Sequence, residues 1–293
     1  MDAWPAWVVA LLLLACAGCT KKEPRGPGRI VTLDTDVVGL SGLSVDEHGA
    51  FWAAGEQGDA IIRIDPVHFG VTRYAVVGGP AGTDLEAIAW LDGTRFVLGT
   101  ETQENGRLRD VILQGWLHGD RFHVAPIGNL DYARWNLTAP DNQGIEGICQ
   151  SDGLLVVATE LVESEGGQRW APLGVFDPKT QTWTAHRVRL TSKTGKLAAM
   201  SCKVIGGSIV ALAVERHFSV SHLLRFTIPE GPEAQRIEPT LAADLSELCS
   251  PLPNFEGLAW LEDGSVVVVT DNRYRGAARE PSRLYFIPAS AIE

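Results

Sequence analysis

Carboxylates recur in this chain in a fixed order. Glu86, Glu146 and Glu256 are each followed by Gly or Ala and then Ile or Leu. Ser41 (Ser41-Gly42-Leu43) and Ser201 (Ser201-Cys202-Lys203) open two comparable triplets. After each of the five marks, 14 or 15 residues on, stands another acid: Glu56, Glu101, Glu160, Glu215 and Asp271. Like charges gathered in one place cannot all stay ionised unless something positive sits among them. A hard cation bound by oxygen answers that need, and Ca²⁺ accepts about six to eight oxygens in loose geometry. The expected ligands are Ser41, Glu86, Glu146, Ser201 and Glu256. Zn²⁺ is disfavoured, because no His or Cys cluster accompanies the acids. A cation so held would polarise an ester and ready a water, with Glu101 or Glu160 as the expected base.

Arginines follow the second acids: Arg107, Arg109, Arg169, Arg216, Arg273, Arg275 and Arg279. The forked guanidinium suits an anion such as phosphate, and Arg216 and Arg273 are the expected substrate contacts. The rival reading has each acid pair with an arginine and merely pin the fold.

The elements that must position these groups are strands. The marks start at 41, 86, 146, 201 and 256, a period of 45 to 60 residues. Between the paired marks lie a Gly-containing turn and an apolar, β-rich run such as Ser265-Val266-Val267-Val268-Val269. Such a period with strand-like content is the signature of a propeller, one blade per repeat. The expectation is an all-β fold, a five-bladed β-propeller of four-stranded blades, with inner-strand residues ringing one axis. The last repeat lacks a fourth strand, and a spare one, Arg29 to Asp34, precedes the first. It should complete the last blade and close the ring, removing two sheet edges. Fourth strands are expected at 72–77, 121–126, 183–190 and 234–241.

The order Ser, Glu, Glu, Ser, Glu on inner strands, with Phe255-Glu256-Gly257-Leu258 opening the last repeat, resembles the calcium-activated nucleotidases (apyrases). That resemblance implies a central Ca²⁺, the serines giving oxygen through hydroxyl or main chain. Glu56-Gln57-Gly58 stands where that family carries an acidic pair and an Arg. The Glu-Gly-Ile triplet and Thr270-Asp271-Asn272-Arg273 also resemble the phytase-like esterase propellers and other lipoprotein propellers of bacteria.

Residues 1–18 read as a lipoprotein signal. The apolar stretch Ala6 to Gly18 is too short for a bilayer, which needs about 20 residues. Ala17-Gly18-Cys19 resembles a lipobox with Cys19 as the lipidated residue, and Cys16 is a poorer second candidate. Residues 19–28 read as a flexible tether and 29–293 as the propeller. These features place the chain at the bacterial cell envelope, lipid-anchored and extracytoplasmic. The formal net charge of −11 argues against a nucleic-acid partner, which would want a basic face. A monomer is expected, meeting the membrane only through its lipid. Beyond Cys19 the mature chain has Cys149, Cys202 and Cys249. Cys202–Cys249, Cys149–Cys202 and three free thiols all remain open. Without a Gly-x-Ser-x-Gly elbow or a phosphate loop, serine-nucleophile chemistry has no support. Two functions stand: a Ca²⁺-dependent hydrolase of a phosphate or other anionic ester, and a binding propeller for an envelope protein partner with Ca²⁺ purely structural. A lactonase-like enzyme is a weaker third.

Overall fold

The computed structural model of the chain describes residues 28–57, 59–272 and 280–293. The expected signal, the lipidation site Cys19 and Arg273 lie outside the described residues.

Almost all the strands fall into antiparallel meanders. The first is Leu40–Val45, Phe51–Gly55, Ala60–Ile64 and Val71–Gly78. The second is Thr83–Asp92, Arg95–Thr102, Arg109–His118 and Arg121–Asp131. The third is Ile145–Ser151, Leu154–Thr159, Gln168–Asp177 and Thr182–Arg189. The fourth is Lys196–Ile205, Ser208–His217, Val220–Thr227 and Thr240–Asp244. The fifth is Phe255–Trp260, Val266–Thr270 and Arg283–Ile287, and Arg29–Thr32 from the other end of the described chain completes it, with Arg29 opposite Phe286.

Turn chemistry explains why the apolar runs stop where they do. Asp46 accepts from the amides of His48 and Ala50, and Asp65 from those of Val67 and His68. Such Asx turns reverse the chain between strands too apolar to remain exposed. One expected strand is placed differently. In 234–241, Arg236–Ile237 runs parallel to Arg187–Val188 of the preceding meander, and the true outer partner of Val220–Thr227 is Thr240–Asp244. A parallel pairing also joins the outer strands of the first two meanders, Ala75 opposite Arg121, so both edges are covered.

The first strands of the meanders stand side by side in a closed cycle. Leu40–Val45 neighbours Thr83–Asp92 and Phe255–Trp260, and Ile145–Ser151 and Lys196–Ile205 fill the arc between. The apolar core lies between consecutive meanders. Trp52, Ile61, Phe96 and Phe122 bind the first to the second, and Phe51, Ile62, Val267 and Leu284 bind the fifth to the first. This is a β-propeller, in which stacked sheets around an axis leave only short, protected edges.

Near the axis the inner strands approach so closely that no Cβ fits at Gly42, Gly147 or Gly257. A Cβ on Gly257 would lie 2.6 Å from the carbonyl carbon of Gly42. This belt separates an acidic end of the axis from a cavity of about 200 Å³ at the other end, lined in part by Ser44, Trp90, Cys149, Ser201, Lys203 and Trp260.

Candidate functional site: an acidic funnel

Strand register defines three rings at the acidic end. In the second, third and fifth meanders the register shifts by a bulge at Glu86, Glu146 and Glu256, between Leu85/Ala87, Ile145/Gly147 and Phe255/Gly257. In the fourth the shift falls between Leu197 and Ala199, so the residue at that position is Ala198. Ser41 occupies it in the first, where its hydroxyl donates to the Glu86 carbonyl at 2.7 Å. The inner ring is therefore Ser41, Glu86, Glu146, Ala198 and Glu256.

Ser201 does not belong to it, which corrects the ligand set expected from sequence. It lies three residues further on, about 10 Å along the strand, and its Oγ accepts from the Trp260 amide at 3.2 Å. Ser44 accepts from Trp90 in the same way, at 2.8 Å. Those two serines are equivalents, and both line the far cavity.

On the second strands the equivalent positions are Glu56, Glu101, Glu160, Arg216 and Asp271. Three of these residues make the same closing bond: the amides of Glu56, Glu160 and Asp271 donate to the carbonyls of Gly39, Gly144 and Asn254. In the other two meanders Asp84 faces Glu101 and Lys196 faces Arg216. Glu215, expected in this ring, points elsewhere because successive strand residues face opposite sides. It is fully buried and accepts from Thr191 N, Thr191 Oγ1, Ser192 N and Ser192 Oγ at 2.5–2.9 Å. Its work is to clamp the segment before the fourth inner strand.

A third ring, two residues before the inner one, holds Gly39, Asp84, Gly144, Lys196 and Asn254. Sequence reasoning missed Asp84 and Lys196, although the period of two was the signal: Asp84-Leu85-Glu86 and Asn254-Phe255-Glu256 repeat one pattern.

The electrostatics follow from burial. Glu86 and Glu146 are 8% and 6% exposed. Desolvation, and then their carboxylate neighbours (Glu56 and Glu101 for the first, Glu160 and Glu86 for the second), hold both well above the usual carboxylate range. Burial also pushes Glu101 up to about 8, with the Glu160 charge adding and Arg107 opposing. Glu256 is pushed up to about 7 by burial, against the pull of Arg216. All these acids thus feel one another, as expected of a convergent site.

Among the described residues, the cations near the funnel are engaged. Arg216 donates Nε to Glu256 Oε2 at 3.1 Å and Nη2 to Oε1. Lys196 Nζ lies 3.3 Å from Glu160 Oε2. Arg107 is buried, forks onto Asp110 at 2.8 Å through both Nε and Nη2, and holds the carbonyls of Pro140 and Gln143. Tyr132 also donates to Asp110. Arg107 is therefore a brace behind Glu101, and the collar of arginines expected at the rim loses that member. Gly144 makes room for the brace: a Cβ there would meet Glu101, Arg107 and Asp110 at 2.9–3.0 Å.

One polar atom of the funnel stands out. Glu101 Oε2 is buried and has no hydrogen-bond partner among the described residues. Asp84, Glu86 and Glu101 each bring a carboxylate oxygen within 4.8 Å of the others. Donors that are all oxygen, crowded and partly unsatisfied fit a hard cation such as Ca²⁺ and do not fit a thiophilic metal.

At the far end Cys149 and Cys202 form a disulfide between the third and fourth inner strands, and Cys249 is free and buried. Of the alternatives left open by sequence, this is the pairing across neighbouring inner strands.

The sequence profile of the Phytase-like family, described as esterase-like activity of phytase, matches residues 35–274. Solved structures share the fold at low identity. A glucose dehydrogenase is 11% identical with a TM-score of 0.53, covering 89% of this chain and 99% of its own. An oxidoreductase described as a glucose dehydrogenase, from Thermus thermophilus, is 12% identical with a TM-score of 0.50, covering 88% and 99%. A protein described as a gluconolactonase is 10% identical with a TM-score of 0.50, covering 92% and 81%. No protein of curated function matches the sequence.

Proposed function

Since the chain belongs to the phytase-like esterase family, we propose that it is a Ca²⁺-dependent hydrolase of phosphate or other anionic esters, working in the acidic funnel. We count the five meanders as the five blades of the propeller. The observation that carries the reading is the convergence of the inner carboxylates with their opposite numbers on the second strands, beside a single ring arginine. Glu86, Glu146 and Glu256 would hold the axial cation, with Ser41 tying the first inner strand to the second. When bound, the cation supplies charge stabilisation for the ester oxygen and acidifies a water.

The chain's own groups divide the remaining work. Of the two candidate bases, Glu160 is better placed: its side chain is 14% exposed and Lys196 fixes one oxygen, leaving the other to face a water. Glu101 is more deeply buried, at 2% exposed. Arg216, 22% exposed on its side chain, shares Glu256 and retains donors for an entering anion. Arg273 remains a candidate second contact. We further propose that the protein is a monomer lipidated at Cys19 and held at the bacterial envelope.

The test is release of phosphate or alcohol from a panel of nucleotides, inositol phosphates and aryl esters, by the mature protein in Ca²⁺ and in EDTA. Turnover in Ca²⁺ that EDTA abolishes and Glu160→Gln cuts sharply supports the reading. If no ester is turned over, the protein is a binding propeller. The direct neutralisation of Glu256 by Arg216 is the observation on that side.

A further inference from the structure

The second meander differs from the other four at one point. The position two residues before the inner ring holds Gly39, Gly144, Lys196 and Asn254 in the others, and Asp84 here. Only in the second meander do all three ring positions carry acids: Asp84, Glu86 and Glu101. Their carboxylate oxygens lie within 4.8 Å of one another. Bonds of roughly 2.4 Å from a Ca²⁺ ion let its oxygen ligands sit up to about 4.8 Å apart. The trio therefore spans what one such ion can bridge.

The surroundings leave these oxygens for a ligand. Glu101 is 2% exposed, and its Oε2 has no partner among the described residues. Glu215, the comparably buried acid of the fourth meander, shows the contrast, since four donors satisfy it. A buried carboxylate oxygen left bare is costly. Among the described residues, the neighbouring cations pair with other acids: Arg107 with Asp110, Lys196 with Glu160 and Arg216 with Glu256. Asp84 is steadied from outside by Gln103, whose Nε2 donates to Oδ2 at 2.9 Å. Glu101 is steadied from behind by the Arg107–Asp110 brace.

We propose that Asp84, Glu86 and Glu101 form a second hard-cation site, off the axis, sharing Glu86 with the axial site. Three carboxylates are too few to fill a Ca²⁺ shell, so water or a substrate oxygen completes it. The inference deepens the proposed function and rests on it for the axial cation. A carboxylate common to two cations matches the two-metal centres that clamp a phosphoester between them, and it favours esters of phosphoric acid over other anionic esters.

Asp84 belongs to the off-axis trio alone and Glu146 to the axial set alone. The experiment is Ca²⁺ stoichiometry on the full mature chain by equilibrium dialysis, with elemental analysis. It is run on the wild type, Asp84→Asn, Glu101→Gln and Glu146→Gln, each checked for native circular dichroism. The expected result is two equivalents for the wild type and one for each variant. One equivalent that Glu146→Gln removes and Asp84→Asn and Glu101→Gln both leave intact overturns the off-axis site and keeps the axial one. One equivalent that Asp84→Asn removes and Glu146→Gln leaves intact supports the trio and removes the axial reading. No bound calcium in the wild type overturns both.

Discussion

Arg216 of the fourth meander donates Nε and Nη2 to the carboxylate of Glu256 at the start of the fifth. It does so from the position that Glu56, Glu101, Glu160 and Asp271 hold in the other meanders. One site in the ring has reversed its charge, and the inner acid beside it has become Ala198. The funnel is therefore lopsided: carboxylates crowd the second and third meanders, while the fourth brings Arg216 and Lys196.

The pair predicts a stability effect. Glu256 is 8% exposed on its side chain, so at alkaline pH, where it is ionised, removing its partner strands a charge that water reaches poorly. Arg216→Met should cost about 3 kcal/mol, in the range for breaking a largely buried pair. Arg216→Met with Glu256→Gln should recover much of that loss. Urea denaturation in EDTA measures both. An additive double variant would mean that the two residues do not interact.

A second prediction concerns pH. Without cation, burial raises Glu101 to about 8 and Glu256 to about 7 from an ordinary 4.5. Between those values the folded state binds more protons than the unfolded one, so stability falls as pH rises. The contribution is fully present below about pH 4.5 and is lost as pH climbs through 7 to 8. The melting temperature in EDTA should therefore drop between pH 5.5 and 8.5, and saturating Ca²⁺ should flatten the slope. A melt in EDTA that rises across this range would show that the acids are not buried together.

Glu215 supplies a control. Its four donors make it a clamp with no part in the rings, so Glu215→Gln should lower the melting temperature and leave Ca²⁺ affinity within about twofold. A loss of Ca²⁺ binding as large as that of Glu146→Gln would return Glu215 to the second ring of acids.

The disulfide at the opposite end closes a loop with a sequence separation of 53. On the chain-entropy account, Cys202→Ser should cost about 4 kcal/mol, whereas Cys249→Ser should leave thiol-blocking mass spectra unchanged except at that residue. Mass spectrometry of alkylated protein before and after reduction gives the pairing directly.

The strands were legible in the sequence because apolar runs closed by Asp-Gly and Gly-Gly turns admit few alternatives. The pairing of Arg29–Thr32 with Arg283–Ile287 was legible because one repeat lacked a strand. The register of the fourth repeat was not. Its inner strand, Lys196-Leu197-Ala198-Ala199-Met200, has lost the acid that marks position elsewhere, and Ser201 offered a false mark. Pairing Glu215 with that mark put the second ring one residue off, and one residue on a strand is the opposite face. Arg216, expected as a free rim contact, is bound to Glu256 because the slip hid its place in the ring. Burial was hidden too: nothing in the sequence separates Arg107, a brace, from an arginine at the rim.

The most direct test of the cation-holding funnel is the thermal melt of the protein in Ca²⁺ and in EDTA, beside the triple variant Glu86→Gln, Glu146→Gln, Glu256→Gln. A ligand at a hundredfold its Kd stabilises by about 2.7 kcal/mol, which is roughly 5–10 °C for a domain of this size. A shift of that order is expected for the wild type and none for the triple variant. Identical melts of the wild type in Ca²⁺ and EDTA would contradict it.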